Sequence, residues 1–159
     1  MIRYTALLIL ILVYSCNFTN DSFYNDSRRE DLSRLPLIKP YELINVAKEY
    51  RSDRSRCWGL KFKRSYEIEK PLKYDFVNAA WVNIEDSVIY GHGWDQNSFP
   101  NYYFIIDTKT DQEKVFAEEK AWRETLTSLK CKPDVLHDIW PLFEDFKEHN
   151  KLPWLRPTK

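Results

Sequence analysis

The run Tyr102-Tyr-Phe-Ile-Ile106 constrains what this chain can fold into more than any other part of it. Five aromatic or β-branched residues in succession are too few for a stable helix, and they leave no polar side for a strand that faces water. The run therefore predicts a strand covered on both faces. A loop over 91–100 precedes it, and Asp107-Thr-Lys-Thr-Asp111 turns the chain after it, towards a short strand over 114–116.

The neighbouring segments extend the sheet. Residues 76–84 and 87–90 are rich in aromatic and β-branched side chains, with Glu85-Asp86 between them as a hairpin turn. Trp58, Leu60 and Phe62 alternate with Gly59, Lys61 and Lys63, the pattern of a half-buried strand. Helices are expected on either side. Pro40 suits a first helical position, and Leu43, Ala47 and Tyr50 then form a stripe over 41–50. A second helix over 118–130 places Trp122, Leu126 and Leu129 on one face. A third over 134–149 takes Asp134 as its N-cap and Val135, Leu136, Ile139, Trp140, Phe143 and Phe146 as its apolar side, with Pro141 kinking or splitting it. The expected class is α+β: an antiparallel sheet of four to five strands, one helix before it, and two helices after it packed on one face. With 16% aromatic residues and only three glycines, the chain fills its core with rings and builds turns from Asn and Asp.

The first sixteen residues have a different character. Arg3 precedes nine apolar residues over 6–14, and Ser15 leads into Cys16. A spanning helix needs about 20 apolar residues. Nine fit the apolar core of an export leader. Val13, Ser15 and Cys16 resemble the signal of a bacterial lipoprotein, although Tyr14 is bulky where that pattern is small. The resemblance implies cleavage before Cys16 and acylation of its sulfur, and cleavage near Ser15 with ordinary secretion is the alternative. Three glycosylation sequons, at Asn17, Asn20 and Asn25, accompany the second reading. The expected division is a signal peptide over 1–15, a lipidated Cys with a flexible tether over 16–35, and one α+β domain over 36–159. Residues 17–31 are polar and without period, as a tether requires. The segment Tyr102-Tyr-Phe-Ile-Ile-Asp-Thr-Lys-Thr, with Phe116 and Trp122, is similar to a pattern in small uncharacterised bacterial lipoproteins over roughly 76–130. No activity comes with that likeness.

Composition narrows the chemistry. Net charge is zero, which gives nucleic-acid binding no electrostatic support. Gly59, Gly91 and Gly93 form neither a phosphate-cradling loop nor a dinucleotide fingerprint, and no nucleophile elbow or His-Glu-x-x-His occurs. Neither a catalytic set, a metal site nor a cofactor is expected. Cys57 and Cys131 make an even pair once Cys16 is acylated, and are either bridged in an oxidising compartment or two separate buried thiols.

Three candidate sites remain. In the loop Gly91-His-Gly-Trp-Asp95, His92, Trp94 and Asp95 could bind a ligand or move protons, or Trp94 could fold back onto the core. Arg51, Arg54, Arg56, Lys61, Lys63 and Arg64 form either an anion patch or a solvated face. Trp58, Trp122 and Trp140 have periodic core positions, which leaves Trp81, Trp94, Tyr103 and Trp154 for a sugar-stacking platform, if not for the core. The sequence thus points to a non-enzymatic envelope lipoprotein, most simply on the outer membrane and held there by its lipid. It would bind a protein partner, as an immunity or inhibitor protein does. A glycan-binding or glycan-processing accessory protein is the alternative, and a hydrolase using His92 is the third class.

Overall fold

The computed structural model describes residues 22–25, 28–29, 32–45, 58–62, 79–94 and 101–155. A short helix, α1 (Ser22–Asn25), precedes an antiparallel meander of β1 (Arg28–Arg29), β2 (Leu32–Pro36), β3 (Tyr41–Asn45) and β4 (Trp58–Phe62). A second antiparallel sheet has the order β8-β7-β6-β5-β9, built from β5 (Ala79–Glu85), β6 (Val88–Trp94), β7 (Asn101–Asp107), β8 (Gln112–Phe116) and β9 (His137–Asp138). Helix α2 (Glu119–Ser128) follows β8, and α3 (Ile139–His149) follows β9.

β7 is the strand expected from its apolar run, and it is covered on both faces. Phe104 and Ile106 enter one core with Val82 and Ile89, while Ile105 joins Val88, Tyr90, Trp122 and Leu126 in another. The hairpin joining β5 to β6 turns through Asp86 and Ser87, where Asp86 takes φ 53°, a left-handed position that Asp tolerates well. After β7, Asp107 organises the next turn by accepting from the Lys109 amide at 2.9 Å and the Thr110 hydroxyl at 2.8 Å.

The two helices do not share a face. α2 lies against β7 and β8 on one side, and Trp122 donates its indole N–H to the Phe104 carbonyl at 3.1 Å. α3 lies on the other side, where Ile139, Leu142, Phe143 and Phe146 meet Leu35, Leu37, Tyr41 and Leu43 of the meander. The expectation of both helices on one face is corrected accordingly. A strand that is apolar on both sides needs cover on both.

The segment expected to be a helix over 41–50 begins as strand β3; residues 46–50 lie outside the described residues. Tyr41 and Leu43 face the core across from Leu35, while Glu42 and Ile44 are buried on the opposite side. Over five residues the apolar spacing fits either period, and pairing with β2 and β4 decides it. Pro40 sits in the turn before β3, with a cis bond to Lys39. Leu35, placed by the sequence at the end of the tether, is fully buried, and α1 lies beside the same hairpin. There Arg34 Nη2 donates to the Phe23 carbonyl at 2.8 Å, and the Tyr24 hydroxyl accepts from the Lys39 amide at 3.1 Å.

Details of the last two helices also differ from expectation. Leu129 is the C-cap of α2 and 40% exposed, beyond the buried pair Trp122 and Leu126. Asp138, not Asp134, caps α3, accepting from the Trp140 amide at 2.9 Å. Pro141 therefore falls in the first turn, where its missing N–H costs nothing, and it neither kinks nor splits the helix. Val135 is exposed, and Asp134 instead accepts from Arg123. The connection between α2 and α3 is tied to the sheet from inside: Asn83 Nδ2 donates to the Tyr90 hydroxyl at 2.7 Å, which donates to the Lys132 carbonyl at 3.0 Å. Burial pushes the Tyr90 phenol up to about 12, against the lowering effect of its bonds to Asn83 and Lys132.

Candidate functional site

Gly91, His92, Gly93 and Trp94, expected in a loop, are the second half of strand β6. Their placement on a strand is what creates the site. Trp81 of β5 pairs with His92, and His92 pairs with Tyr103 of β7, which pairs with Phe116 of β8. This single cross-strand ladder lies on the α2 side, because His92 follows Tyr90 at the two-residue period of a strand.

Rings fill the ladder. The His92 imidazole stacks on the Trp81 indole, with centroids 4.4 Å apart and planes 20° from parallel. Trp94 meets Trp81 edge to face at 6.2 Å and 75°. On the other side of His92, Tyr103 lies 5.6 Å away, and Tyr103 packs on Trp122 at 5.2 Å. The row runs from buried Trp122 to Trp94, which is 43% exposed, through three half-buried rings.

The backbone beneath explains why the rings can sit so close. The register of β5 on β6 shifts between Ala79 and Trp81, and the Trp81 carbonyl presses onto Gly91. A Cβ at Gly91 would stand 2.0 Å from that oxygen and 2.9 Å from the Phe104 ring. The close approach that Gly91 permits is made by the chain's own strand.

Charged groups border the row at the start of α2. The Tyr103 hydroxyl donates to Glu119 Oε2 at 3.3 Å, Arg123 Nε lies 2.6 Å from Glu119 Oε1, and Arg123 Nη1 reaches Asp134. These pairs are open to solvent and contribute little to stability. The bond from Arg123 holds the Glu119 carboxyl below its usual range, and the bond to Asp134, then that to Glu119, raises Arg123. Burial raises the Tyr103 phenol, helped by Glu119. Burial also lowers His92 from its ordinary 6.5, against a weaker opposing pull from Glu119.

The indoles divide by what their N–H groups do. Trp122 donates to Phe104 and Trp154 donates to the Pro36 carbonyl at 3.3 Å, as indoles fixed in a core do. Among the described residues, Trp81, Trp94 and both ring nitrogens of His92 have no hydrogen-bond partner. No protein-family model, no curated protein and no solved structure matches this chain.

Of the residues singled out by sequence, the structure joins Trp94, His92, Trp81 and Tyr103. Trp154 stands apart, near His137 against the α3-side core. Cys16, Cys57, Asp95, Arg51, Arg54, Arg56, Lys63 and Arg64 lie outside the described residues, and of Lys61 only its backbone position on β4, opposite Glu42, is described. Cys131 is a free, buried thiol, pushed up to about 11 chiefly by burial. The turn was the misplaced signal: expected at Glu85-Asp86, it runs through Asp86 and Ser87. Pairing Glu85 with Val88 sets Trp81 opposite His92 once β6 is allowed to run on to Trp94.

His92 gives a stability prediction with a definite sign. Its native pKa is depressed, so below 6.5 the unfolded chain takes up a proton that the folded chain resists. Stability at this position is intact above 6.5 and declines as the pH falls through the lowered native value. His92→Phe should flatten that part of a urea-unfolding profile measured against pH. An unchanged slope would contradict the assignment.

Proposed function

We propose that the folded part of this chain is a non-catalytic binding module whose recognition surface is the row Trp94, Trp81, His92 and Tyr103. The observation that carries this reading is the pair of half-satisfied indoles. Trp94 is 43% exposed with half-buried Trp81 beside it, and the N–H groups of both are unpartnered among the described residues, where Trp122 and Trp154 direct theirs into the protein. Aromatic side chains in such settings carry much of the free energy of recognition. His92 lies flat on Trp81, so the two rings enter the row as one stacked unit, and burial lowers the His92 pKa.

The module is held at a bacterial envelope by lipid on Cys16. The leader over 1–15 supports this, since its apolar run is too short to span a bilayer and is followed by Ser15 and Cys16. Two or more acyl chains on that sulfur suffice for stable anchoring. Wild-type protein should take up labelled palmitate and fractionate with membranes, and Cys16→Ser should do neither. A Cys16→Ser chain that still carries label and sediments with lipid would contradict the anchor. The unanchored Cys16→Ser chain then tests the surface. Added back to washed native envelopes it should bind, and with Trp94→Ala as well its bound fraction should fall about tenfold. Equal retention of the two would contradict the recognition surface.

A further inference from the structure

We propose that the row is a carbohydrate platform for a neutral pyranose chain. The inference rests on the binding reading above and adds the chemistry of the ligand. Aromatic faces of this kind accept two sorts of flat ring, a nucleobase or the C–H face of a pyranose. A base arrives with phosphates and needs a positive groove to hold them. Around this row, Glu119 and Asp134 oppose the single guanidinium of Arg123, which both already engage. Among the described residues this ion-pair cluster offers a phosphate no unengaged guanidinium, and the whole chain is neutral.

The polar atoms fit hydroxyls instead. The indole N–H groups of Trp81 and Trp94 are donors, and the neutral imidazole of His92 offers one donor and one acceptor nitrogen. None has a partner among the described residues. The Tyr103 hydroxyl, donating to Glu119, keeps lone pairs to accept.

The test titrates full-length, detergent-solubilised protein with cellohexaose and with chitohexaose, following tryptophan fluorescence and calorimetry. Saturable binding of at least one, weakened about tenfold or more by Trp94→Ala and unaffected by Val135→Ala at a distant exposed position, is the expected result. Because Trp94 is already at the surface, Trp94→Ala should keep the wild-type urea midpoint. Binding of neither sugar, or binding that Trp94→Ala leaves unchanged, overturns the proposal. So does row-dependent retention on envelopes that protease abolishes and glycosidase does not, which would assign the row to a protein. In that last case the binding surface stands and only the ligand class fails. Loss of both envelope retention and sugar binding in the wild-type chain removes the binding reading itself.

Discussion

Gly91→Ala should be the most damaging small substitution in the five-stranded sheet. The added methyl would meet the Trp81 carbonyl at 2.0 Å, and that atom belongs to backbone paired in the ladder, so it cannot rotate aside as a side chain would. The Phe104 ring, fully buried, blocks the other escape. Overpacking a filled core typically costs about 1–3 kcal/mol, and a clash with backbone belongs at or above the upper end. The expected loss is about 3 kcal/mol or more, a large share of the stability of a domain this size. In urea it should lower the midpoint by about 1–2 M. What survives should also lose the stacking of Trp81 on His92, because the same strand contact sets it. A near-native midpoint would mean that β5 does not lean on Gly91 as described.

Glu42→Ala is the second. Glu42 is fully buried, and its Oε2 lies 2.7 Å from Arg34 Nε, whose side chain is itself only 5% exposed. The two sit diagonally across β2 and β3, on the side away from the α3 core, with the Phe23 ring 4.8 Å from the guanidinium. Removing a carboxylate from such a pair strands charge away from water and costs about 3–5 kcal/mol. Replacing both partners by apolar residues is a different experiment. Arg34→Met with Glu42→Leu should recover most of that loss, since each ion also pays heavily for desolvation. Urea unfolding of the two singles and the double closes the cycle. Additive losses would show that the pair is not coupled.

The sequence made some of this legible and hid the rest for identifiable reasons. The apolar run of β7 implied cover on both faces, and that implication was stronger than the assumption that two C-terminal helices would share a side. The class, α+β with an antiparallel sheet, followed from the alternation and the turns, but the strand membership did not: β4, expected in the same sheet, belongs to the meander, and β9 lies where a helix was expected. Residues 41–45 misled because Leu43 and Ile44 suit a helix as well as a strand, and only their partners on β2 and β4 distinguish the two. Asp134 and Asp138 both resemble caps, and the three residues after Asp134 belong to the connection and to β9. The site was half visible. His92, Trp94, Trp81 and Tyr103 all stood out, but two glycines around His92 suggested a loop, and the loop reading separated residues that the ladder brings together.

Trp81 and Trp94 should meet the ligand, while Trp122 and Trp154 hold the protein together. Nitrogen-15 spectra of the indole N–H groups resolve the six tryptophans individually. On titration with chitohexaose or cellohexaose, the resonances of Trp81 and Trp94 should move and saturate together, and those of Trp122 and Trp154 should stay in place. Shifts confined to Trp122, Trp140 or Trp154, or a spectrum that neither sugar perturbs, would contradict the account.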